Sequence, residues 1–159
     1  MSRRFCWACA FFAAIACVAV AQPALCAPVC TFRAVVGQNF GNYNVLSINP
    51  VKTVGRVQYV CSGFAPGSAS VTLTLSTGNA PTYVPRYMLH AGVHLNYNLY
   101  VDNARLKIFG DGTPGTFIYG PVLSADGVVK TVNIFGLLPA KQNVTAGVYT
   151  DTITATMNY

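Results

Sequence analysis

Acidic side chains are scarce in this chain, which has 159 residues and no glutamate. Its four acids are Asp102, Asp111, Asp126 and Asp151. Asp111 and Asp126 each precede a glycine, an arrangement typical of turns, so few carboxylates remain for acid-base work. The sequence also lacks a nucleophile elbow and a Gly-rich loop that enters a helix. We therefore predict that the protein is not an enzyme and binds no cofactor.

Histidine is almost as rare, with His90 and His94 the two in the chain. Their spacing would place both on one face of a helix, as half of a metal site. Gly92 and the alternating pattern that follows it argue against a helix there. We expect ordinary loop or surface histidines and no metal site.

Beyond the amino-terminal segment, no stretch shows a long period of 3.6 residues, so a substantial helix is not expected. Short alternating segments such as 70–76 and 95–101 are separated by turn residues, for example at Asp126-Gly127. About seven strands without crossover helices predict an antiparallel β-sandwich, with a closed barrel as the alternative. The stretch 38–55, rich in Asn, Gly and Pro, is predicted to be a long connection or an irregular edge.

The residues from Gly147 onwards alternate apolar and hydroxyl side chains, and only Asp151 breaks the pattern. We predict a terminal strand with one buried face, because this period of two is that of a strand. The residues predicted to share that face are Tyr149, Ile153, Ala155, Met157 and Tyr159. A half-buried strand needs neighbours, which raises the question of whether another chain supplies the next one.

The amino terminus has the form of a secretory signal, with Arg3 and Arg4 ahead of the uncharged apolar stretch 5–21. We predict a cleaved signal peptide over 1–26, with cleavage after Ala21 as the alternative, and a single domain over 27–159. A permanent membrane anchor is the weaker interpretation, because small-residue cleavage sites follow the apolar run at once.

Cleavage after Cys26 leaves two cysteines, Cys30 and Cys61. An even pair in an exported protein predicts one disulfide, worth about 3 to 4 kcal/mol by loop entropy, whereas two buried free thiols are the alternative. Cys30 shares its parity with Phe32 and Ala34, and we expect these three side chains to face the core.

Basic residues outnumber acids, with a net charge of +6, or +4 once Arg3 and Arg4 are removed. The remaining basic residues are scattered and no aromatic platform is interleaved with them, so we expect no nucleic-acid partner.

An ordered series of short motifs resembles the spore coat protein U domain family, whose relatives are subunits of archaic chaperone-usher pili. The series comprises Cys30-Thr-Phe, Asn39-Phe-Gly-Asn-Tyr43, Gly55-Arg-Val-Gln-Tyr-Val-Cys61, Arg86-Tyr-Met88, Leu95-Asn-Tyr-Asn-Leu-Tyr-Val-Asp102, Ala104-Arg105, Phe109-Gly-Asp-Gly112, Phe135-Gly136 and Gly147-Val-Tyr-Thr-Asp-Thr152. From these motifs we select as candidate site residues Phe40, Gly41, Tyr43, Arg86, Tyr97, Asn98, Leu99, Tyr100, Gly110, Gly112, Gly136, Gly147, Tyr149 and Asp151.

The resemblance implies an immunoglobulin-like sandwich that lacks its final strand and accepts a donor strand from a partner. It implies a periplasmic chaperone, an outer-membrane usher and other pilus subunits as partners. The protein would be exported through the periplasm to the cell surface or beyond, with a role in adhesion or biofilm formation. Only Ala27-Pro-Val29 would precede Cys30 after the predicted cleavage, which makes a poor donor strand, so we expect a tip or capping subunit. The alternative is a stand-alone secreted sandwich that binds carbohydrate or a surface through Tyr83 and Tyr87.

Overall fold

The computed structural model describes residues 27–63 and 68–159 of the chain. The predicted signal peptide, with both of its cleavage sites before residue 27, lies outside the described residues. Eight strands occur in the order β1 (Val29–Val36), β2 (Val51–Ser62), β3 (Ser68–Leu75), β4 (Arg86–His90), β5 (Val93–Tyr100), β6 (Tyr119–Ala125), β7 (Val129–Leu138) and β8 (Ala155–Asn158).

Five of the strands form one antiparallel sheet in the order β1-β2-β7-β5-β4. Its centre is the long ladder between β2 and β7, which pairs Val51 with Leu138 at one end and Val60 with Val129 at the other. Alternate side chains of these strands, including Val57, Tyr59 and Ile134, are buried in the core. This alternation is the pattern of a strand with one face covered, as the sequence predicts.

The other three strands form a second sheet in the order β6-β3-β8. Val71, Leu73 and Leu75 of β3 are almost fully buried and face the first sheet. The two sheets enclose one core, and no helix occurs in the part of the chain that the structure describes. The prediction of an all-β antiparallel sandwich is therefore confirmed. Among residues 27–63 and 68–159 there is also no helix long and apolar enough to cross a membrane.

Strand β2 begins at Val51, immediately after Pro50. The prediction that the stretch 38–55 is a long connection or an irregular edge was therefore wrong at its carboxyl end, where residues 51–55 belong to an inner strand of the sheet. Gly55 misled that prediction, because glycine is uncommon inside strands and signals a loop.

The predicted disulfide joins Cys30 to Cys61, which lie opposite each other on β1 and β2. Both cysteines belong to the core, so this prediction is confirmed. The expectation that Ala34 shares the face of Cys30 was wrong. A register shift between Phe32 and Ala34 turns Ala34 towards the outer face and brings Val35 opposite the buried Val57.

Candidate functional site

The terminal segment contacts both sheets in turn, always along the same edge. Its residues from Ala155 to Asn158 pair with β3, and Thr154 exchanges hydrogen bonds with Ser76. Further back, the carbonyl of Thr150 accepts hydrogen bonds from the Leu89 amide at 2.9 Å and from the Asn79 side chain at 3.1 Å. These backbone partners belong to β3, to β4 and to the connection between those two strands.

The opposite edge of the terminal segment faces open space. In antiparallel pairing, alternate residues direct their amides and carbonyls to opposite edges. Because Thr154 bonds to Ser76 and Thr150 bonds to Leu89 of β4, the backbone groups of the alternate residues 151, 153 and 155 point the other way. β8 is the last strand of its sheet, as this geometry requires.

A groove of about 310 Å³ runs beside this edge. One wall is formed by Thr150, Asp151, Ile153 and Ala155, and the other by the end of β1 and the residues that follow it, 35–38. Its floor consists of core side chains from four strands, namely Val57, Leu75, Tyr97, Leu99 and Ile134. The groove therefore extends to the edge of the core, and the five floor side chains are themselves only 2 to 8% exposed.

A second cavity of about 790 Å³ continues the groove in the direction of residue 144. Its walls are residues 144–149 on one side and 38–45 on the other, with Leu95 and Leu138 beneath. The two cavities share four lining residues, which are Gln38, Phe40, Met88 and Tyr149. Together they form one long groove between the terminal segment and the chain that follows β1.

Two glycines on neighbouring strands make room for the wall that contains Gln38 and Phe40. A Cβ on Gly136 would lie 2.8 Å from Gln38 and 3.0 Å from Phe40, and one on Gly55 would lie 2.7 Å from a backbone oxygen of β1. In this recess the Gln38 side chain donates to the Ile134 carbonyl at 2.7 Å.

Asp151 anchors the terminal segment to the body of the domain. Its carboxylate accepts hydrogen bonds from the Tyr97 hydroxyl at 2.6 Å and from the Asn79 amide at 2.7 Å. A Cβ on Gly78 would collide with the same carboxylate. Burial, reinforced by this hydrogen bond, raises the pKa of Tyr97 well above its usual value.

Arg86 lies beneath this anchor and is fully buried. Its guanidinium donates to the carbonyls of Ser76 and Phe109 and to the Asn98 side chain, at 2.6 to 3.0 Å. Burial lowers its pKa. Bound to neutral acceptors, Arg86 joins the end of β3, β5 and the Phe109 segment into one support for the groove.

The candidate residues chosen from sequence fall into two groups. The groove or its supporting hydrogen-bond network contains Phe40, Gly41, Tyr43, Arg86, Tyr97, Asn98, Leu99, Gly136, Gly147, Tyr149, Asp151, Ile153 and Ala155. The others lie outside the groove lining, namely Tyr100, Gly110, Gly112, Met157 and Tyr159. Gly110 and Gly112 are turn residues against Thr116 and Ile118, and Met157 packs on the core from β8.

Several residues of the groove were not among the candidates chosen from the sequence, and Val35, Gln38 and Met88 are examples. Val35 reaches the groove because of the register shift in β1, which no local pattern signals. Gln38 and Met88 look like ordinary loop and strand residues in the sequence. The one available signal was the pair of glycines inside strands, Gly55 and Gly136, since such glycines often mark the close approach of another chain segment.

The two histidines and the tyrosines Tyr83 and Tyr87 make contacts within the domain. His94 stacks on Tyr87 with ring centroids 3.8 Å apart, and His90 packs against Tyr149. Within the described ranges there is no group of three or more metal-binding side chains. Tyr83 covers the buried Arg86 and donates its hydroxyl to the Leu75 carbonyl, so it is not the exposed platform that carbohydrate binding would require.

Comparison with known proteins agrees with this architecture. The family model of the Spore Coat Protein U domain matches residues 14–156. Protein U of Myxococcus xanthus is 31% identical over 137 residues, which cover 76% of this chain and 70% of that protein.

A solved structure with a similar fold is the CsuC-CsuE chaperone-tip adhesion subunit pre-assembly complex from archaic chaperone-usher Csu pili of Acinetobacter baumannii. The superposition has a TM-score of 0.52 with 22% sequence identity and covers 84% of this chain. The chain spans 40% of the length of the solved chain, so the likeness concerns the fold. With the family match over nearly its whole length, the chain belongs to the spore coat protein U domain family.

Proposed function

We propose that this protein is an exported, non-catalytic structural subunit of a chaperone-usher pilus or surface coat, and that its groove accepts a β-strand from a partner. The groove lies between the edge strand β1 and the terminal segment 149–155, over a floor of core side chains. A strand placed there would pair its backbone with the terminal segment and bury alternate side chains against Val57, Leu99 and Ile134. This one observation carries the proposal.

The partners follow from the same geometry and from the family. A periplasmic chaperone would cover the groove first, and another pilus subunit would replace it at an outer-membrane usher. The solved CsuC-CsuE complex, which joins a chaperone to a tip adhesion subunit, supports a chaperone partner by analogy of fold. The protein would pass through the periplasm and act at the cell surface or outside the cell, without a permanent membrane anchor.

The decisive experiment completes the sandwich within one chain. A two-residue Asn-Gly turn and a strand of about twelve residues, with apolar residues at the inward positions, are fused after Tyr159. We expect Tm to rise by about 10 °C or more, since several apolar side chains become buried. The matched control has the same composition with the alternation shifted by one residue, which turns the apolar side chains to solvent. Equal Tm values for the unmodified domain and both fusions would refute the proposal.

A finer role concerns the position of the subunit in the assembly. Cleavage after Cys26 would leave Ala27-Pro-Val29 ahead of β1, without the alternating pattern of a donor strand. We therefore assign the protein to the tip or cap of its pilus or coat, in adhesion or biofilm formation. Mixed with a chaperone-bound polymerising subunit of its own system, it should form one-to-one complexes and stop growth. Regular fibres grown from this protein alone, seen by electron microscopy, would contradict that assignment.

A further inference from the structure

The two cavities of the long groove adjoin at a place that is lined by aromatic side chains from both walls. Phe40 from one wall and Tyr149 from the other line both cavities, and Met88 lies in both linings. Phe40 also contacts the Tyr97 ring edge-on, with centroids 5.6 Å apart. We call Phe40, Met88 and Tyr149 the constriction.

Both aromatic side chains of the constriction are held in place by the domain itself. The chain that carries Phe40 is fixed by the hydrogen bonds of Gln38 to Ile134 at 2.7 Å and to Thr53 at 2.5 Å. The Phe40 ring rests against Gly136, where even a methyl group would lie 3.0 Å away.

Across the groove, the Tyr149 hydroxyl donates to the Thr145 carbonyl at 2.9 Å, and its ring packs on His90. Neither side chain can move aside without breaking these contacts.

We propose that the constriction is a size filter that selects the partner strand. The inward residue of the incoming strand that pairs with Tyr149 must be Gly or Ala, and larger apolar residues must flank it in the two cavities. This inference rests on the proposed function, because it specifies the strand that the groove accepts.

The size preference follows from the difference in space between the constriction and the cavity beside it. A residue paired with Tyr149 in an antiparallel ladder has its Cβ about 5 Å from that of Tyr149 and points to the same face. Phe40 approaches from the opposite wall, so a long side chain there would overpack. The residue that pairs with Ile153 instead faces the 310 Å³ cavity over Val57 and Leu99, where a large side chain fills empty space.

The test is a guest series in the fused-strand protein, whose hairpin turn sets the register. Gly, Ala, Val and Leu are placed in turn at the added position that pairs with Tyr149, and in a parallel series at the position that pairs with Ile153. We expect Tm to fall by about 5 °C or more from Ala to Leu in the first series and to rise by a similar amount in the second.

Phe40→Ala should reverse the order of the first series and leave that of the second unchanged. Phe32→Ala is the matched control, because Phe32 is a half-exposed aromatic of β1 outside both cavities. Phe40→Ala can lower the Tm of every guest by the same amount. The order of the Tm values of the four guests in the Phe40→Ala protein then tests the filter. If Tm rises from Gly to Leu in both series, with or without Phe40, the constriction is not a size filter, and the proposed function still stands. No rise in Tm with any inward-apolar strand would overturn both.

Discussion

Arg86 is the largest fully buried side chain among the described residues, and its hydrogen-bond acceptors are all neutral. Arg86 satisfies two carbonyls and the Asn98 side chain with a rigid planar fork. We expect Arg86→Lys, in the fused-strand background, to lower the free energy of unfolding by about 3 kcal/mol, because a single ammonium cannot reach all of these acceptors. Urea unfolding measures the loss. Arg56→Lys on the exposed face of β2 is the control and should stay within about 0.5 kcal/mol.

Ionisation of the Tyr97 hydroxyl makes the free energy of unfolding depend on pH in the alkaline range. Its folded-state pKa is raised above the ordinary value of 10.0, so the fold favours the protonated phenol. The contribution is therefore complete below about pH 10 and decreases as the unfolded state ionises above it. Tyr119, whose pKa burial and Tyr59 raise to about 12, acts in the same direction.

We expect the unfolding free energy of the fused-strand protein to fall from pH 9.5 to 11.5, and Tyr97→Phe to fall less steeply. Chemical denaturation at stepped pH measures both slopes, and equal slopes would contradict the assignment.

At the scale of elements, the recess in β2 and β7 positions one wall of the groove. A methyl group at Gly136 would meet Thr53 at 2.6 Å and Gln38 at 2.8 Å, and neither contact is acceptable. We expect Gly136→Ala to cost about 2 kcal/mol or more of stability and to weaken the gain from a fused strand, because the Gln38–Phe40 wall must move. Gly37→Ala is the control for stability in the domain without an added strand, since nothing lies within 4 Å of its Cβ position there. If Gly136→Ala leaves the free energy of unfolding unchanged, the wall that contains Gln38 and Phe40 can move without cost, and the prediction is wrong.

Most of the strands could be predicted from alternation, because each buries one face and the period of two is visible in the sequence. The disulfide was predicted from the even pair of cysteines that cleavage leaves in an exported protein. The groove could not be predicted residue by residue, since it depends on a bulge in β1 and on segments far apart in the chain. Tyr97 and Asp151, for instance, are 54 residues apart and meet through one hydrogen bond.

For the molecule as a whole, the free energy gained by burying an added strand in the groove is comparable to the free energy of unfolding of a domain. Four or five inward side chains at roughly 1.5 to 3 kcal/mol each give about 6 to 15 kcal/mol as an upper bound, and domains of this size are stable by about 5 to 15 kcal/mol. Apolar side chains near the groove are exposed to solvent, with Val35 66% and Phe32 40% exposed. An uncovered edge over an open core also promotes aggregation.

We therefore expect the domain with its Cys30–Cys61 disulfide to aggregate or be degraded when produced alone in a periplasm, because nothing covers the groove. Co-production with the periplasmic chaperone of its own system should yield a soluble one-to-one complex, measured by size-exclusion chromatography with light scattering. The fused-strand protein is the control and should be a soluble monomer without any chaperone, because its own added strand occupies the groove. A soluble, cooperatively folded monomer of the unmodified domain that binds no hydrophobic dye would mean that the sandwich is complete as it stands, and that the groove is not an acceptor site.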